Sequence, residues 1–455
     1  MFHVGSARSA LWNWLYARQH HGVFVLRIED TDEARNEPQW VEGIRSAMRW
    51  LELDWDEEFL QSEHADRHRS RGIELHERGS AYYCECTADD VAARKAPGGP
   101  PGGYDGFCRD RGLGPAPGRA LRFRVPPGRT VIEDIVRGRV EFDNDKLGGD
   151  FVILKGNGAP IFYLANTVDD LDERISHVLR GEEHLPNTPK NQLLWEALAD
   201  GAPPPAWAHL PVLVNEARKK LSKRRDRVAL ESFRDDGFLM EAMRNYLCLL
   251  GWAPKGDREF LSIDELVAEF RLEDVNSSPA FFDVKKLTAF NEHYLRQMDA
   301  AGFAEAAAPF LARGPWAPAA FDPLVFVRLA PLVQQRARTL ADVPTMVDFV
   351  FLDEPVIDNG SWEKAVAGNP LAGPVLRDAR AAFETAEWTA EVLHATATAV
   401  GERHGLSLGK AQAPVRVAVT GRTVGPPLFE SLEVLGRDRT LQRIDAAVAR
   451  LYRSG

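Results

Sequence analysis

Two short segments far apart in the chain carry residue types that bind phosphate. The first is His3-Val4-Gly5, directly before an apolar helical pattern, and the second is Lys220-Leu221-Ser222-Lys223-Arg224. The N-terminus of a helix offers unpaired N–H groups and the positive end of the helix dipole, and lysine ammonium groups neutralise a triphosphate. Together the segments predict an ATP site. Each alone also fits a plainer interpretation, namely a neighbour of a helix cap and a solvated basic surface.

Charged residues also follow two of the predicted strands. Glu29 and Asp32 come after the apolar run 23–28, and Arg180 comes after the run 175–179. Open α/β sheets bind ligands beyond the carboxyl ends of their strands, so these side chains are candidates for a substrate pocket. Two other roles fit the same positions. The carboxylates could cap the next helix, and Arg180 could form a surface ion pair with a following glutamate.

Three cysteines lie close together in the sequence, at Cys84, Cys86 and Cys108. Three thiolates and one further ligand suit a structural Zn²⁺ site, although ordinary free thiols are the alternative. Cys248 lies in an apolar helical pattern and is expected to be a core residue. Four cysteines are too few to cross-link a chain of this length, which favours a reduced, cytoplasmic protein.

The composition excludes some classes of protein. A chain of 455 residues is expected to form roughly three or more domains. No apolar run approaches the about 18 residues of a membrane-spanning helix, so no membrane contact is expected. The net charge of −11 does not by itself suggest nucleic acid. A local basic stripe at 218–227 can still bind it.

Periodicity predicts the elements that position these residues. A helix is expected over 6–21 with Ser6 as N-cap, a buried strand over 23–28, and a second helix that opens at Pro38. After the strand at 175–179, a helix is expected with Thr188 as N-cap. Residues 120–140 alternate as strands do, and the chain beyond 230 shows mainly helical periodicity.

Residues 3–32, HVGSARSALWNWLYARQHHGVFVLRIEDTD, together with KLSKR at 220–224, resemble the class I aminoacyl-tRNA synthetases and in particular the bacterial glutamyl-tRNA synthetases. The resemblance runs nearly the full length of the chain. It implies a glutamate–tRNA ligase that uses ATP and Mg²⁺ to form glutamyl-adenylate and passes the glutamyl group to the 3′ end of tRNA(Glu). It also implies a cytoplasmic enzyme, expected to be a monomer, whose partners are L-glutamate and tRNA(Glu).

The resemblance assigns roles to individual residues. Catalysis is expected from Lys223 above all, then Lys220, with His3 and Gly5 in the first ATP motif. The implied ATP-binding residues are His3, Gly5, Glu183, His184, Leu213, Lys220, Ser222, Lys223 and Arg224. The implied glutamate-binding residues are Glu29, Arg35, Tyr163, Asn166 and Arg180. Glu29 would hold the α-amino group, and Arg180 would pair with the side-chain carboxylate, which its planar guanidinium matches.

Two further sites follow from the same resemblance. Some relatives carry a C-x-C…Y-x-x-x-C zinc pattern, which Cys84, Cys86, Tyr104 and Cys108 match, whereas others place a histidine where Asp110 stands here. Arg336 aligns with an arginine that rejects tRNA with a glutamine anticodon in some relatives. A plain helix-surface role remains the alternative for Arg336.

The implied architecture is multidomain. An α/β Rossmann-like catalytic domain with an α+β insertion is followed by all-α stem-contact and anticodon-binding domains. The expected segments are 1–69 (first catalytic half), 70–162 (acceptor-binding insertion with the zinc pattern), 163–218 (second catalytic half), 219–298 (stem-contact region with the KLSKR loop) and 299–455 (helical anticodon-binding domain).

Two departures from the family pattern affect these expectations. The usual opening strand and its Ala-Pro-Ser-Pro-Thr-Gly-like loop would precede His3, and their absence suggests a misassigned start codon or a trimmed sequence. Phe162 stands where many members carry tyrosine, with Tyr163 one place later. Because the opening strand and its loop are missing, the main alternative function is a catalytically impaired tRNA-binding relative. Minor alternatives are a paralogue that glutamylates a modified base and a glutaminyl enzyme.

Overall fold

A computed structural model describes residues 2–31, 37–94, 103–222 and 226–453. Strands β1 to β11 are Val25–Ile28, Glu57–Leu60, Ala81–Cys84, Ala120–Phe123, Arg129–Asp134, Gly138–Asp143, Val152–Leu154, His177–Gly181, Ala206–Leu210, Leu213–Val214 and Ala280–Phe281. Helices α1 to α19 are Val4–Gln19, Pro38–Trp50, Ala65–Glu77, Ala88–Ala93, Phe162–Asp172, Thr188–Leu198, Leu230–Asp235, Met240–Cys248, Ile263–Glu269, Val284–Gln297, Ala300–Leu311, Pro323–Gln334, Val343–Phe351, Asn359–Trp362, Ala372–Thr385, Ala390–Arg403, Leu408–Thr420, Leu428–Leu435 and Arg437–Arg453.

The first compact unit comprises 1–232 and 243–283, and its described residues form four small sheets. The largest has the order β6-β5-β9-β8, in which β8 and β5 each run parallel to β9 and β6 is antiparallel to β5. Strands β1 and β2 form a parallel pair, as do β10 and β11. The remaining sheet, β3-β4-β7, is antiparallel. Parallel strands joined through helices are the expected α/β arrangement.

The hairpin β5–β6 lies in the same sheet as β8 and β9, although its residues fall inside the segment expected to be an insertion. The single β5–β9 bridge pairs Asp134 with Trp207. The strand alternation over 120–140 was visible in the sequence, but the partner of each strand was not. Pairing between strands more than 70 residues apart depends on packing that no local pattern encodes.

Helix α1 is held by its buried apolar side chains. Leu11, Trp12 and Leu15 are fully buried, and the Trp12 ring lies 5.7 Å from Phe270. Cys248 is fully buried, as expected for a core residue, and burial raises the pKa of its thiol. The packing therefore anchors the helix whose N-terminus carries the first predicted phosphate-binding motif.

Two predicted helix caps differ from the structure. The N-cap of α1 is His3 rather than Ser6, because the His3 imidazole accepts the Gly5 amide N–H and the helix begins at Val4. The N-cap of α6 is Asn187 rather than Thr188. Thr188 is already helical, and its hydroxyl contacts other buried side chains. Pro38 does open α2, as predicted.

The second compact unit comprises 233–242 and 284–455. Its described residues from 284 onward contain helices and no strand, in agreement with the predicted all-α region. Its core contains fully buried aromatic rings such as Phe303, Phe349 and Phe383. Among the described residues of the whole chain, no helix is both long and apolar enough to cross a membrane.

Candidate active site

A cavity of about 1110 Å³ lies in the first unit, where the start of α1 meets the ends of β1 and β8 and the chain around β10. Many of the predicted ATP- and glutamate-binding residues line it. They are His3, Gly5, Glu29, Arg180, Glu183, His184, Leu213 and Lys220. The two predicted phosphate-binding segments, more than 200 residues apart in the sequence, therefore both contribute residues to one cavity.

His3 has a fixed orientation at the start of α1. Its Nδ1 accepts the N–H of Gly5 at 2.9 Å, so the neutral ring carries its proton on Nε2. A Cβ at position 5 would lie 3.1 Å from that Nδ1, a closer approach than side chains usually make. Glycine at this position therefore leaves room for the imidazole to cap the start of α1.

The second phosphate segment is held against β10. Leu221 donates its N–H to Leu213 at 3.0 Å, and Ser222 donates its N–H to the Asp226 carboxylate at 2.9 Å. The Lys220 ammonium lies 3.2 Å from a carboxylate oxygen of Glu183, at the cavity. Two predicted residues, Lys223 and Arg224, lie outside the described residues, as do Asp32 and Arg35.

Glu29 lies at the end of β1 and contacts two neighbours. Its Oε1 accepts from the Asn166 amide at 3.0 Å and lies 3.6 Å from Arg27. The residue that precedes α2 as N-cap is Glu37, so the alternative of Glu29 as a helix cap is wrong. The Glu29 side chain lines the cavity, where its carboxylate can bind an ammonium group.

Arg180 is positioned from one side of its guanidinium. Its Nη2 donates to the Thr188 hydroxyl at 2.9 Å and to the Asn191 side-chain oxygen at 3.2 Å, and the group lies 5.4 Å from the Trp207 ring centroid. Burial lowers the pKa of Arg180, although nearby Asp170 and Glu29 oppose this effect. The guanidinium remains charged.

The alternative of a surface ion pair for Arg180 is wrong. Glu182 instead pairs with Arg137 and accepts the N–H of Val212 at 2.9 Å. Glu183 pairs with Lys220. Both glutamates that follow Arg180 are therefore occupied by other partners.

Tyr163, Asn166 and Ser222 are predicted site residues that do not themselves line the cavity. The Tyr163 hydroxyl donates to Asn187 at 3.1 Å. The Phe162 ring stacks on the cavity residue His184, with 6.1 Å between the centroids. Burial first, and then the charge of Arg180, lower the pKa of His184, so this imidazole is neutral near pH 7.

Arg8 lines the cavity and was not identified from the sequence. It is 3% exposed, and its guanidinium donates to the backbone carbonyls of Leu250, at 2.8 Å, and Pro211. Burial lowers its pKa to about 10, opposed by the charges of Glu182 and Glu183. A buried arginine inside a helix has no sequence motif of its own, so no signal could have revealed it.

The predicted metal-binding residues come together in a small cluster beside β3. The Sγ atoms of Cys84, Cys86 and Cys108 lie within 4.8 Å of one another. The Tyr104 hydroxyl lies 3.4 Å from the Cys84 sulfur and 3.8 Å from the Cys86 sulfur, and it accepts the Cys108 N–H at 2.7 Å.

Asp110, which stands where some relatives carry a histidine, is not among the described residues whose ligand atoms come together in this cluster. Its side chain is exposed and pairs with Arg124 at 3.0 Å. Arg94, by contrast, donates to the Cys86 sulfur at 2.8 Å. Arg111 lies 3.7 Å from the Cys108 sulfur, so two guanidinium groups lie beside the cysteine cluster.

Arg336 is exposed just after α12 in the second unit. Burial first, and then the charge of Arg336, lower the pKa of Arg416. The two guanidinium groups therefore lie near enough to interact. The preceding Gln334 is buried and donates to the carbonyl of Leu295 at 2.8 Å. The chain before Arg336 is thus anchored while the arginine faces solvent.

Comparison with known protein families divides the chain into two parts. Residues 1–289 match the family described as tRNA synthetases class I (E and Q), catalytic domain, and residues 302–448 match an anticodon binding domain. The predicted fold class is confirmed by these matches and by the helical second unit.

Similar proteins match over nearly their whole length. The glutamate–tRNA ligase of Salinispora arenicola is 57% identical over 462 residues, covering 99% of this chain and 97% of that protein. The glutamate–tRNA ligase of Frankia casuarinae is 56% identical, covering 99% and 96%. The crystal structure of a glutamate tRNA ligase from Elizabethkingia meningosepticum in complex with its amino acid matches with a TM-score of 0.83 at 27% identity, covering 99% and 97%.

These full-length matches do not favour the alternative of a catalytically impaired relative. They confirm the predicted enzyme class, which implies the use of ATP and action on tRNA and an amino acid. The cavity, the two family domains and the similarity to these proteins all agree: the chain belongs to the class I tRNA synthetases, as a member of the glutamate–tRNA ligase family.

Proposed function

We propose that this enzyme activates L-glutamate with ATP and transfers it to tRNA(Glu) in the cavity that His3, Glu29, Arg180 and Lys220 share. An oxygen of the glutamate α-carboxylate attacks the α-phosphorus of ATP, and the bond to pyrophosphate breaks. The 2′-hydroxyl of the terminal adenosine of tRNA then attacks the activated carbonyl, and AMP leaves. The observation that carries the proposal is that one cavity is lined by residues of both predicted phosphate-binding segments and by Glu29 and Arg180.

The ATP phosphates are assigned to the start of α1 and to the KLSKR loop. His3 would donate from Nε2, and Gly5 would let a phosphate approach the helix amides. Lys223 would stabilise the negative charge that builds up on the departing pyrophosphate, assisted by Lys220 and Arg224. The adenosine would lie among Glu183, His184 and Leu213, beside Ser222. Mg²⁺, when bound to the phosphates, would neutralise part of their charge.

The glutamate is assigned to the opposite end of the cavity. Glu29, oriented by Asn166, would accept hydrogen bonds from the α-ammonium group. Arg180 would donate from Nη1 to the side-chain carboxylate, because its Nη2 is already held by Thr188 and Asn191. Tyr163 and Arg35 are proposed to complete this pocket.

The tRNA is proposed to run from the catalytic domain, 1–69 and 163–218, across the acceptor-binding insertion 70–162 and the stem-contact region 219–298. The anticodon would reach the helical domain 299–455, where the exposed Arg336 would exclude a glutamine anticodon. We propose a monomer that acts in the cytoplasm, where these substrates occur.

A structural Zn²⁺ is proposed at Cys84, Cys86, Cys108 and Tyr104. In a tetrahedral site with about 2.3 Å Zn–S bonds, the sulfur atoms lie roughly 3.8 Å apart. The sulfur atoms here lie within 4.8 Å, and those of Cys86 and Cys108 lie 3.4 Å apart. The donor set therefore fits the ion. Its effect would be to cross-link β3 to the loop that carries Cys108.

The proposed function is tested by aminoacylation of purified tRNA(Glu) with labelled glutamate, beside ATP–pyrophosphate exchange measured with tRNA present. We expect both activities with glutamate and neither with aspartate. A protein that binds tRNA(Glu) but produces neither exchange nor charged tRNA would refute the proposal.

A further inference from the structure

A chain of buried polar side chains lies behind Glu29. The Asn166 amide donates to Glu29 at 3.0 Å, and the Gln61 amide nitrogen donates to the Asn166 side-chain oxygen at 2.9 Å. The same Gln61 nitrogen donates to the Asp169 carboxylate at 2.8 Å. Gln61, Asn166 and Asp169 are 1%, 5% and 1% exposed, and the last two lie one turn apart on α5.

Asp169 sets the donor-to-acceptor direction of these hydrogen bonds. Burial alone would raise the pKa of Asp169, but the hydrogen bonds from His68 and Gln61 lower it below its usual value. The His68 Nε2 lies 2.6 Å from the carboxylate and is fully buried with it. An ionised carboxylate only accepts hydrogen bonds, so Gln61 must turn its amino group, not its oxygen, towards Asp169.

The orientation of Gln61 then determines that of Asn166. Because the Gln61 nitrogen also faces Asn166, the Asn166 side chain must present its oxygen inwards to that donor. Its amino group consequently points outwards to Glu29. If the Asn166 amide were reversed, two oxygens would face each other at Glu29 and two amino groups would face each other at Gln61. The two amino groups at the buried Gln61 end would be left unsatisfied, and the oxygens at Glu29 would repel each other.

We propose that Asp169 and Gln61 are positioning residues which fix the Asn166 amide as a donor, so that Glu29 is held ready for the ammonium group of glutamate. This inference rests on the proposed function, in which Glu29 and Asn166 serve the amino-acid pocket. Neither Gln61 nor Asp169 is among the described residues that line the cavity. Their effect therefore passes through Asn166.

The test is a double variant, Gln61→Glu with Asp169→Asn. It reverses the direction of the hydrogen bonds, and the side chains keep their size, so no cavity forms. The new asparagine can donate to the new glutamate, and its oxygen can still accept from His68. The glutamate carboxylate accepts only, so Asn166 must turn its amino group inwards and its oxygen towards Glu29. The side chains at positions 61, 166 and 169 stay paired with one another, whereas the donor at Glu29 is lost and an oxygen faces it instead.

We expect the double variant to fold and to melt a few degrees below the wild type, because positions 61, 166 and 169 remain paired and one repulsive contact is added at the exposed Glu29. The KM for glutamate in tRNA-dependent exchange should rise about ten- to a hundredfold, the loss typical of a misdirected hydrogen bond to a charged group, while the KM for ATP changes less than about twofold. Asp172→Asn is the matched control. Asp172 lies on the same helix but forms an exposed ion pair with Arg67 at 2.8 Å, and its loss should change neither constant.

If the double variant has both the stability and the KM for glutamate of the wild type, the direction of the buried hydrogen bonds does not matter. That result would overturn the proposal. If the double variant does not fold, Gln61→Met decides, because it removes the directing amide while keeping the shape. A rise of about three- to tenfold in the KM for glutamate supports the proposal, and an unchanged KM overturns it. A wild-type enzyme without glutamate-dependent exchange would refute the proposed function itself, and this inference with it.

Discussion

Replacement of Arg180 by glutamine tests the central electrostatic contact of the proposed pocket. The guanidinium is largely enclosed, held by Thr188 and Asn191 and lying 5.4 Å from the Trp207 ring centroid. Glutamine keeps a polar group of similar reach but removes the positive charge. Removal of one partner from a buried charge pair costs about 3–5 kcal/mol. Because about 1.4 kcal/mol corresponds to tenfold, kcat/KM for glutamate should fall about 100- to 5,000-fold.

The assay is ATP–pyrophosphate exchange with tRNA present, measured over a range of glutamate and then of ATP concentrations. We expect the KM for ATP to remain within about threefold, since Arg180 is assigned to glutamate and not to the triphosphate. Arg139→Gln serves as a control, because Arg139 is an exposed arginine of the same sheet that pairs with Glu133 and Glu141. A loss below about tenfold for glutamate, or an equal loss for ATP, would refute the assignment of Arg180.

Three further predictions address the metal, the anticodon and the effect of pH. Protein purified without chelator should contain about one zinc per chain, and Cys108→Ser should lose it while Cys248→Ser keeps it; zinc near zero in the wild type would exclude the site. Arg336→Ala should raise charging of the glutamine tRNA relative to the glutamate tRNA by about ten- to a hundredfold, as expected when one repulsive contact is lost, whereas an unchanged ratio of the two aminoacylation rates would remove its discriminating role. Burial lowers the pKa of His209, so the unfolded chain binds this proton at a higher pH than the folded protein. Stability should therefore fall as the pH drops below the ordinary histidine value of about 6.5, and urea titrations at pH 7.5 and 5.5 should show a smaller fall for His209→Gln.

Much of the architecture could be predicted because its signals are local. Helix α1, the strand that ends at Ile28 and the helix that opens at Pro38 all follow from periodicity and terminal residues over a few turns. The helical C-terminal half was predicted for the same reason. Helix ends were less predictable, since the cap of α1 depends on the side-chain geometry of His3 as well as on residue type.

The site itself was only partly predictable. Motif resemblance identified residues such as Glu29, Arg180 and Lys220, which the structure brings to one cavity. It could not identify Arg8, whose guanidinium reaches carbonyl groups at Pro211 and Leu250. A buried cation of this kind is defined by the partners around it, and those partners are remote in sequence.

The amino-acid sequence alone determined the family, the prediction of two phosphate-binding segments and the grouping of three cysteines, because each is a short pattern whose chemistry lies in adjacent residues. Tertiary structure decided that the hairpin β5–β6 joins the central sheet, that Arg180 is held by Thr188 and Asn191, and that Asp169 directs an amide beside Glu29. The physical reason is the directionality of hydrogen bonds between buried groups. The donor or acceptor role of each side chain depends on neighbours that only the fold places beside it.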